Sequence, residues 1–180
     1  MAVVGLLVAI PVTLIVRGGD DDNESSPPPV EPEVPAVGQV RFDRKLGVAL
    51  RLPAGWKRSN ETNAVSFRSD DGSVLIAISA PGPEEDAEEI HGAAVEAIES
   101  KYRAVEVVNR DGKTRLGGRP AELAAISARQ PKDRSPLGVL VVTAKGQKRA
   151  YLAEVFAAGE DPNAALVEAQ VLLNNLRLKG

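Results

Sequence analysis

From residue 48 onward, apolar side chains recur at every second position in short runs, and each run stops at glycine, proline or aspartate. A period of two puts such residues on one face of a strand, so the chain has to build a sheet and cover that face. Val48, Leu50 and Leu52 form the first run. Pro53-Ala54-Gly55 turns the chain, which returns at Trp56. Val65 and Phe67 lead into Asp70-Asp71-Gly72-Ser73, a hairpin-type turn, and Val74, Ile76 and Ile78 follow. Val105 and Val107 begin another strand, expected to close at Asp111-Gly112. Gly117-Gly118 breaks the chain again before Ala121, Leu123 and Ala125. After a loop at 131–136, two longer strands run around Leu140–Ala144 and Ala150–Phe156, joined at Lys145-Gly146-Gln147.

Two segments carry the helical period instead. Pro83 sits where a first helical turn would begin, with Glu84, Glu85 and Asp86 placed well for the helix dipole. The stripe is Ala87, Ile90, Ala94, Ala97, Ile98 and Tyr102. Asp161-Pro162 is an N-cap followed by proline at the first helical position, and Leu166, Ala169, Leu172, Leu173 and Leu176 line that helix. The order is β-β-β-α-β-β-β-β-α, without internal repeats. It predicts an α+β fold, an antiparallel sheet of about six or seven strands with two packing helices.

The beginning of the chain is different. Met1 to Val16 carries no charged side chain. As a helix, Ala2–Val16 would reach roughly 22 Å at 1.5 Å per residue, short of the about 30 Å of a hydrocarbon core. Pro11 would kink it, and no Lys or Arg precedes it. The expected reading is a transmembrane signal anchor over residues 1–17 whose true start lies upstream. The alternatives are a cleaved signal peptide, for which Arg17 spoils the cleavage pattern, and a buried core helix, which the next segment would separate from its core. No cysteine offers a lipid anchor or a disulfide. Residues 18–37 hold Asp20, Asp21, Asp22, Glu24, Glu31 and Glu33 with five prolines. Self-repulsion and polyproline II make this an expected acidic, semi-rigid linker. It lacks the glycine and distant glutamate of an EF-hand loop. Residues 38–180 are then the expected extracytoplasmic domain, with the protein in the cell membrane by a single pass.

The linker also explains the charge. The whole chain is −3; without Arg17 and the six linker acids the remainder is +2. A near-neutral domain does not predict nucleic-acid binding. Catalytic machinery is scarce. His91 is the single histidine, next to Glu88 and Glu89 on the first helix, and reads as a helix-surface residue. Ser79, Ser100 and Ser127 lack a nucleophile elbow. Glu85 and Glu89, four apart on one helix, would be solvated and would not face each other across a cleft. With one histidine and no cysteine, zinc is not expected. No catalytic residue, metal or cofactor is assigned.

A resemblance adds to this. LGVALRLPAGWKR (46–58), AVSFRSDDGSVLIAISA (64–80), the acidic helix, RLGGRPAELAAIS (115–127), GQKRAYLAEVFAA (146–158) and the closing amphipathic helix resemble the PsbP-like superfamily. That group includes a photosystem II extrinsic protein, a Ran-binding nuclear import factor and many exported, membrane-anchored or lipoprotein-type proteins of Gram-positive, actinobacterial-type bacteria. The resemblance spans about residues 38–178. Its clearest elements, Pro-Ala-Gly-Trp and Gly-Gly-Arg-Pro-Ala, are turn chemistry. It implies an α/β/α sandwich on an antiparallel sheet and action through binding other proteins, not catalysis.

Charge distribution supplies the remaining functional signal. The first helix is acidic, whereas basic residues gather in turns: Lys57-Arg58, Lys113 with Arg115 and Arg119, Lys132 with Arg134, and Lys145 with Lys148-Arg149. One pole could steer a charged protein partner. Lys145, Lys148 and Arg149 are candidate contact residues. Trp56 is a candidate anchor if exposed, and a packing residue at the sheet edge otherwise. Asn60-Glu61-Thr62 is a sequon that matters only in a glycosylating host. The first expectation is a membrane-anchored, non-enzymatic extracytoplasmic module that binds a protein or supports the envelope. The second is a domain binding a lipid, glycan or peptide in a groove between helix and sheet. The third is the sensor end of a longer chain.

Overall fold

The computed structural model describes residues 39–43, 45–81 and 86–178. The expected anchor and linker lie outside these. Among the described residues there are ten strands and two helices: β1 (Gln39–Asp43), β2 (Val48–Leu52), β3 (Lys57–Asn60), β4 (Ala64–Arg68), β5 (Val74–Ser79), α1 (Ala87–Lys101), β6 (Arg103–Leu116), β7 (Arg119–Arg129), β8 (Pro136–Lys145), β9 (Ala150–Ala158), α2 (Pro162–Asn174) and β10 (Arg177–Leu178). Seven of them form one antiparallel sheet in the order β3-β4-β5-β9-β8-β7-β6. The sequence reading placed Val48–Leu52 in that sheet. The structure puts β2 in a second sheet, β1-β2-β10. Strand β3 has no apolar residue to signal it, since KRSN is exposed throughout, and β1 has only the pair Val40 and Phe42 in alternation, a run too short to mark a strand beside the linker.

The large sheet is covered on both faces, as alternating burial requires. On one face Ala94, Val95 and Ile98 of α1 bury against Leu75, Val139, Val141 and Phe156. On the other, α2 and the small sheet share a core with Phe67, Ile76, Ile78, Val142 and Val155. Fully burying such side chains contributes about 1.5–3 kcal/mol each, and the space between helices and sheet is filled with them. This is the expected three-layer α+β arrangement.

Local chemistry sets the boundaries. Helix α1 starts at Ala87, where the Asp86 side chain accepts the Glu88 N–H at 2.8 Å and acts as N-cap; Pro83, Glu84 and Glu85 lie outside the described residues. Strand β6 runs through Asp111-Gly112 with register shifts, and the turn falls at Gly117-Gly118, both at positive φ. Helix α2 follows the expected Asp161 cap and Pro162 start, with Asp161 accepting the Ala164 N–H at 3.1 Å.

His91 is a correction. It is 6% exposed, not on the helix surface. The buried face of α1 is rotated to Ile90, His91, Ala94, Val95 and Ile98. The ring Nδ1 lies 3.2 Å from Thr143 Oγ1 of β8, and Nε2 lies 3.4 Å from the Arg110 carbonyl of β6.

Candidate protein-interaction face

Strand register decides which basic turns meet. Lys145 pairs with Ala150 across the β8–β9 turn, where the Gly146 N–H donates to the Arg149 carbonyl at 2.8 Å. A Cβ at Gly146 would sit 2.5 Å from that carbonyl oxygen, so the tight return needs glycine. Ala121 pairs with Ala144, which brings the β6–β7 turn alongside. Arg115 Nη1 ties that turn by donating to the Gly118 carbonyl at 2.9 Å. Arg115, Arg119, Lys145, Lys148 and Arg149 therefore share one end of the large sheet. Lys113 is compensated there by Glu122 at 2.9 Å, which raises its pKa. Among the described residues, Lys145, Lys148 and Arg149 have no acidic partner, and all three are exposed.

The other basic turns lie elsewhere. Lys57 pairs with Asp70 at 3.8 Å at the opposite end, where Lys132 and Arg134 occupy the β7–β8 loop. Arg58 is bound to Asp43 at 2.5 Å. Trp56 belongs to that opposite end too. It follows Gly55, whose positive φ and close approach to Asp70 form the turn, and it is half-buried against the core. Trp56 and the Lys145–Arg149 turn are thus not brought together. The α1 face exposes Glu88, Glu89, Glu96 and Glu99, of which Glu99 binds Arg110 at 2.9 Å.

A feature that sequence reading did not find is an open cleft of about 1140 Å³ on the outer face of the small sheet. Val40, Ala49, Arg51, Gly117, Asn174 and Arg177 are among its lining residues, and none of the lining is acidic. It joins β1, β2, the end of α2 and the β6–β7 turn. Arg51 and Arg177 are 126 positions apart in the chain, and no local pattern links them. Among the described residues the space between α1 and the sheet is packed, with Val95 of α1 and Val139 and Val141 of β8 fully buried.

His91 spends both ring nitrogens on Thr143 and Arg110. Ser100 Oγ donates to the Ala97 carbonyl at 2.9 Å. Among the described residues, no group of three or more His, Cys, Asp or Glu side chains is placed to hold a metal, and no helix is long and apolar enough to cross a membrane. Glu154 projects from β9 beside Ala77 and Val141; burial pushes its carboxyl up, with Lys101 pulling the other way. Burial, with the charge of Glu154, pushes the Tyr102 phenol up to about 12.

No protein-family model matches this chain, and no curated protein matches it. Solved structures do. The cyanobacterial PsbP protein CyanoP from Synechocystis superposes with a TM-score of 0.60 at 12% identity, covering 84% of this chain and 98% of its own. The Ran-binding protein Mog1p of Saccharomyces cerevisiae gives 0.54 at 7% identity, covering 79% and 96%. LpqN of Mycobacterium tuberculosis, involved in cell envelope biogenesis, gives 0.52 at 14%, covering 79% and 86%. At such identities the likeness establishes the fold, which is of the PsbP and Mog1 kind.

Proposed function

We propose that this protein is a membrane-anchored, extracytoplasmic, non-enzymatic module that binds another protein through its basic end. The observation that carries the reading is the uncompensated Lys145, Lys148 and Arg149 turn set beside Arg115 and Arg119, on a domain that is otherwise near neutral. A one-signed patch on a rigid sheet end raises the encounter rate with an oppositely charged partner. Fold neighbours that bind Ran or take part in envelope biogenesis support a binding role. The filled space between helices and sheet favours a protein partner over a small ligand held there.

Topology gives the module a direction. Tyr151 Oη donates to the Leu46 carbonyl at 3.2 Å, and Lys45 Nζ donates to the Thr62 carbonyl, so the β1–β2 turn lies at the basic end. Gln39 pairs with Leu52, at the other end of β1. An anchor upstream of Gln39 would join the domain opposite the basic turns, leaving them facing away from the membrane. An exported protein of a Gram-positive, actinobacterial-type envelope fits this arrangement.

The test is a photo-crosslinking amino acid at Gln147, between the cations, with Asp133 as the control in the opposite loop. The reading expects a discrete protein adduct from position 147 only, and protease added to intact cells should reach the domain. Equal adducts at both positions, or a domain protected until the cells are lysed, would sink it.

A further inference from the structure

We infer that the cleft on the small sheet receives an extended acidic peptide segment of the partner, with carboxylates at alternate residues. This rests on the basic end being the partner-binding face, since Gly117-Gly118 lines the cleft and lies in one of its turns.

The geometry comes from register. Arg177 of β10 lies directly opposite Ala49 of β2, which places Arg51 at the diagonal position on the same face. Diagonal neighbours of this kind are about 7–8 Å apart. Val40 of β1 lies opposite Arg51 and extends that face with a 59%-exposed apolar side chain. Among the described residues neither the Arg51 nor the Arg177 guanidinium has a hydrogen-bond or ion-pair partner. The face thus presents two guanidinium forks against an apolar floor, with the side-chain amides of Asn174 and Asn175 at its rim.

The spacing selects the ligand's conformation. In an extended chain, residues two apart are separated by about 6.6–6.8 Å and point the same way. Alternate glutamates or aspartates can therefore each meet one guanidinium, and planar carboxylate-to-fork pairing is the strongest exposed ion-pair geometry. A helical segment presents neighbours on one face only three or four residues apart. A block of adjacent acids in an extended segment would turn every second carboxylate away from the floor.

The probe is a short fluorescein-labelled peptide with two glutamates, Val-Glu-Val-Glu-Val, compared with its isomer Val-Glu-Glu-Val-Val, in which the two glutamates are adjacent and face opposite sides of an extended chain. Both are titrated into the full chain and followed by anisotropy. The alternating peptide is expected to bind more tightly by about threefold, as one further exposed ion pair allows. The R51Q/R177Q variant should lose that difference while its circular dichroism and thermal midpoint stay unchanged. Equal binding of the isomers, or full binding by R51Q/R177Q, overturns the inference. So does competition by phosphatidylglycerol vesicles alone, which would assign the cleft to a membrane. A gain of affinity in E31Q/E33Q would assign it to the chain's own acidic segment, and would likewise overturn a partner's segment as occupant. Charge reversal at Lys145, Lys148 and Arg149 separates the two levels. If it abolishes partner capture while R51Q/R177Q leaves the peptide difference intact, the cleft assignment fails and the basic-end reading stands.

Discussion

His91 holds α1 to the sheet. Its Nδ1 meets Thr143 Oγ1, and both side chains are buried, so neither can turn to water when the other is removed. A buried polar group left without its partner costs about 1–3 kcal/mol. Thr143→Val should therefore lower the unfolding free energy by about that amount in urea titration, without changing partner capture. A change in capture with unchanged stability would move His91 from packing to function. Glu154 is the second telling residue. Its folded pKa is raised above the unfolded value near about 4.3. The folded state then binds more protons than the unfolded one above that value, and its stability falls as pH rises toward the folded pKa. Glu154→Gln removes this slope. Its stability should be flatter than wild type from about pH 4.3 upward and higher at neutral pH. An unchanged pH profile in thermal melts would contradict the assignment.

At the scale of elements, the turns decide the architecture. Gly117 has φ of +59°, and a Cβ there would lie 2.5 Å from Leu178 Cγ, so the β6–β7 turn and β10 are packed against each other. Gly118 has φ of +81° with nothing within 4 Å of an added Cβ. Gly118→Ala should cost about 1–2 kcal/mol for the left-handed backbone alone. Gly117→Ala should add about 1–3 kcal/mol of steric cost and disturb β10, which carries Arg177. Equal destabilisation of the two variants in urea would mean that β10 does not pack on this turn. These elements also show why parts of the fold were legible. Alternation in β4 and β5, the longer apolar runs of β8 and β9 on either side of Lys145-Gly146-Gln147, and the Asp161-Pro162 cap are local signals, and the structure has these elements. The small sheet was not legible, because β2 separates from the run of strands around it and closes with the two-residue β10 far along the chain. A stripe drawn through Ala97 leaves His91 at the surface, whereas the buried face runs through Val95 and takes His91 with it. Lys145, Lys148 and Arg149 could be listed from sequence, but only the pairing of Ala121 with Ala144 shows which other cations stand beside them.

As a whole, the molecule is polar in charge: α1 exposes glutamates on one face, and cations gather at one sheet end. Its free sheet edges are guarded. Strand β3 is short and fully exposed, with Lys57 and Arg58, and β6 is interrupted by register shifts. Such edges discourage strand pairing with other chains, so recognition is expected at the sheet's end and outer layer instead. The central claim is electrostatic recognition by the Lys145–Arg149 turn. The most direct test is the association rate of the crosslinked partner with K145E/K148E/R149E and, as a control, K132E/R134E at the opposite end. At low salt the first variant should associate at least about tenfold more slowly than wild type, with the gap closing at high salt, and the control should match wild type. Identical rates for the two variants across the salt range would contradict the claim.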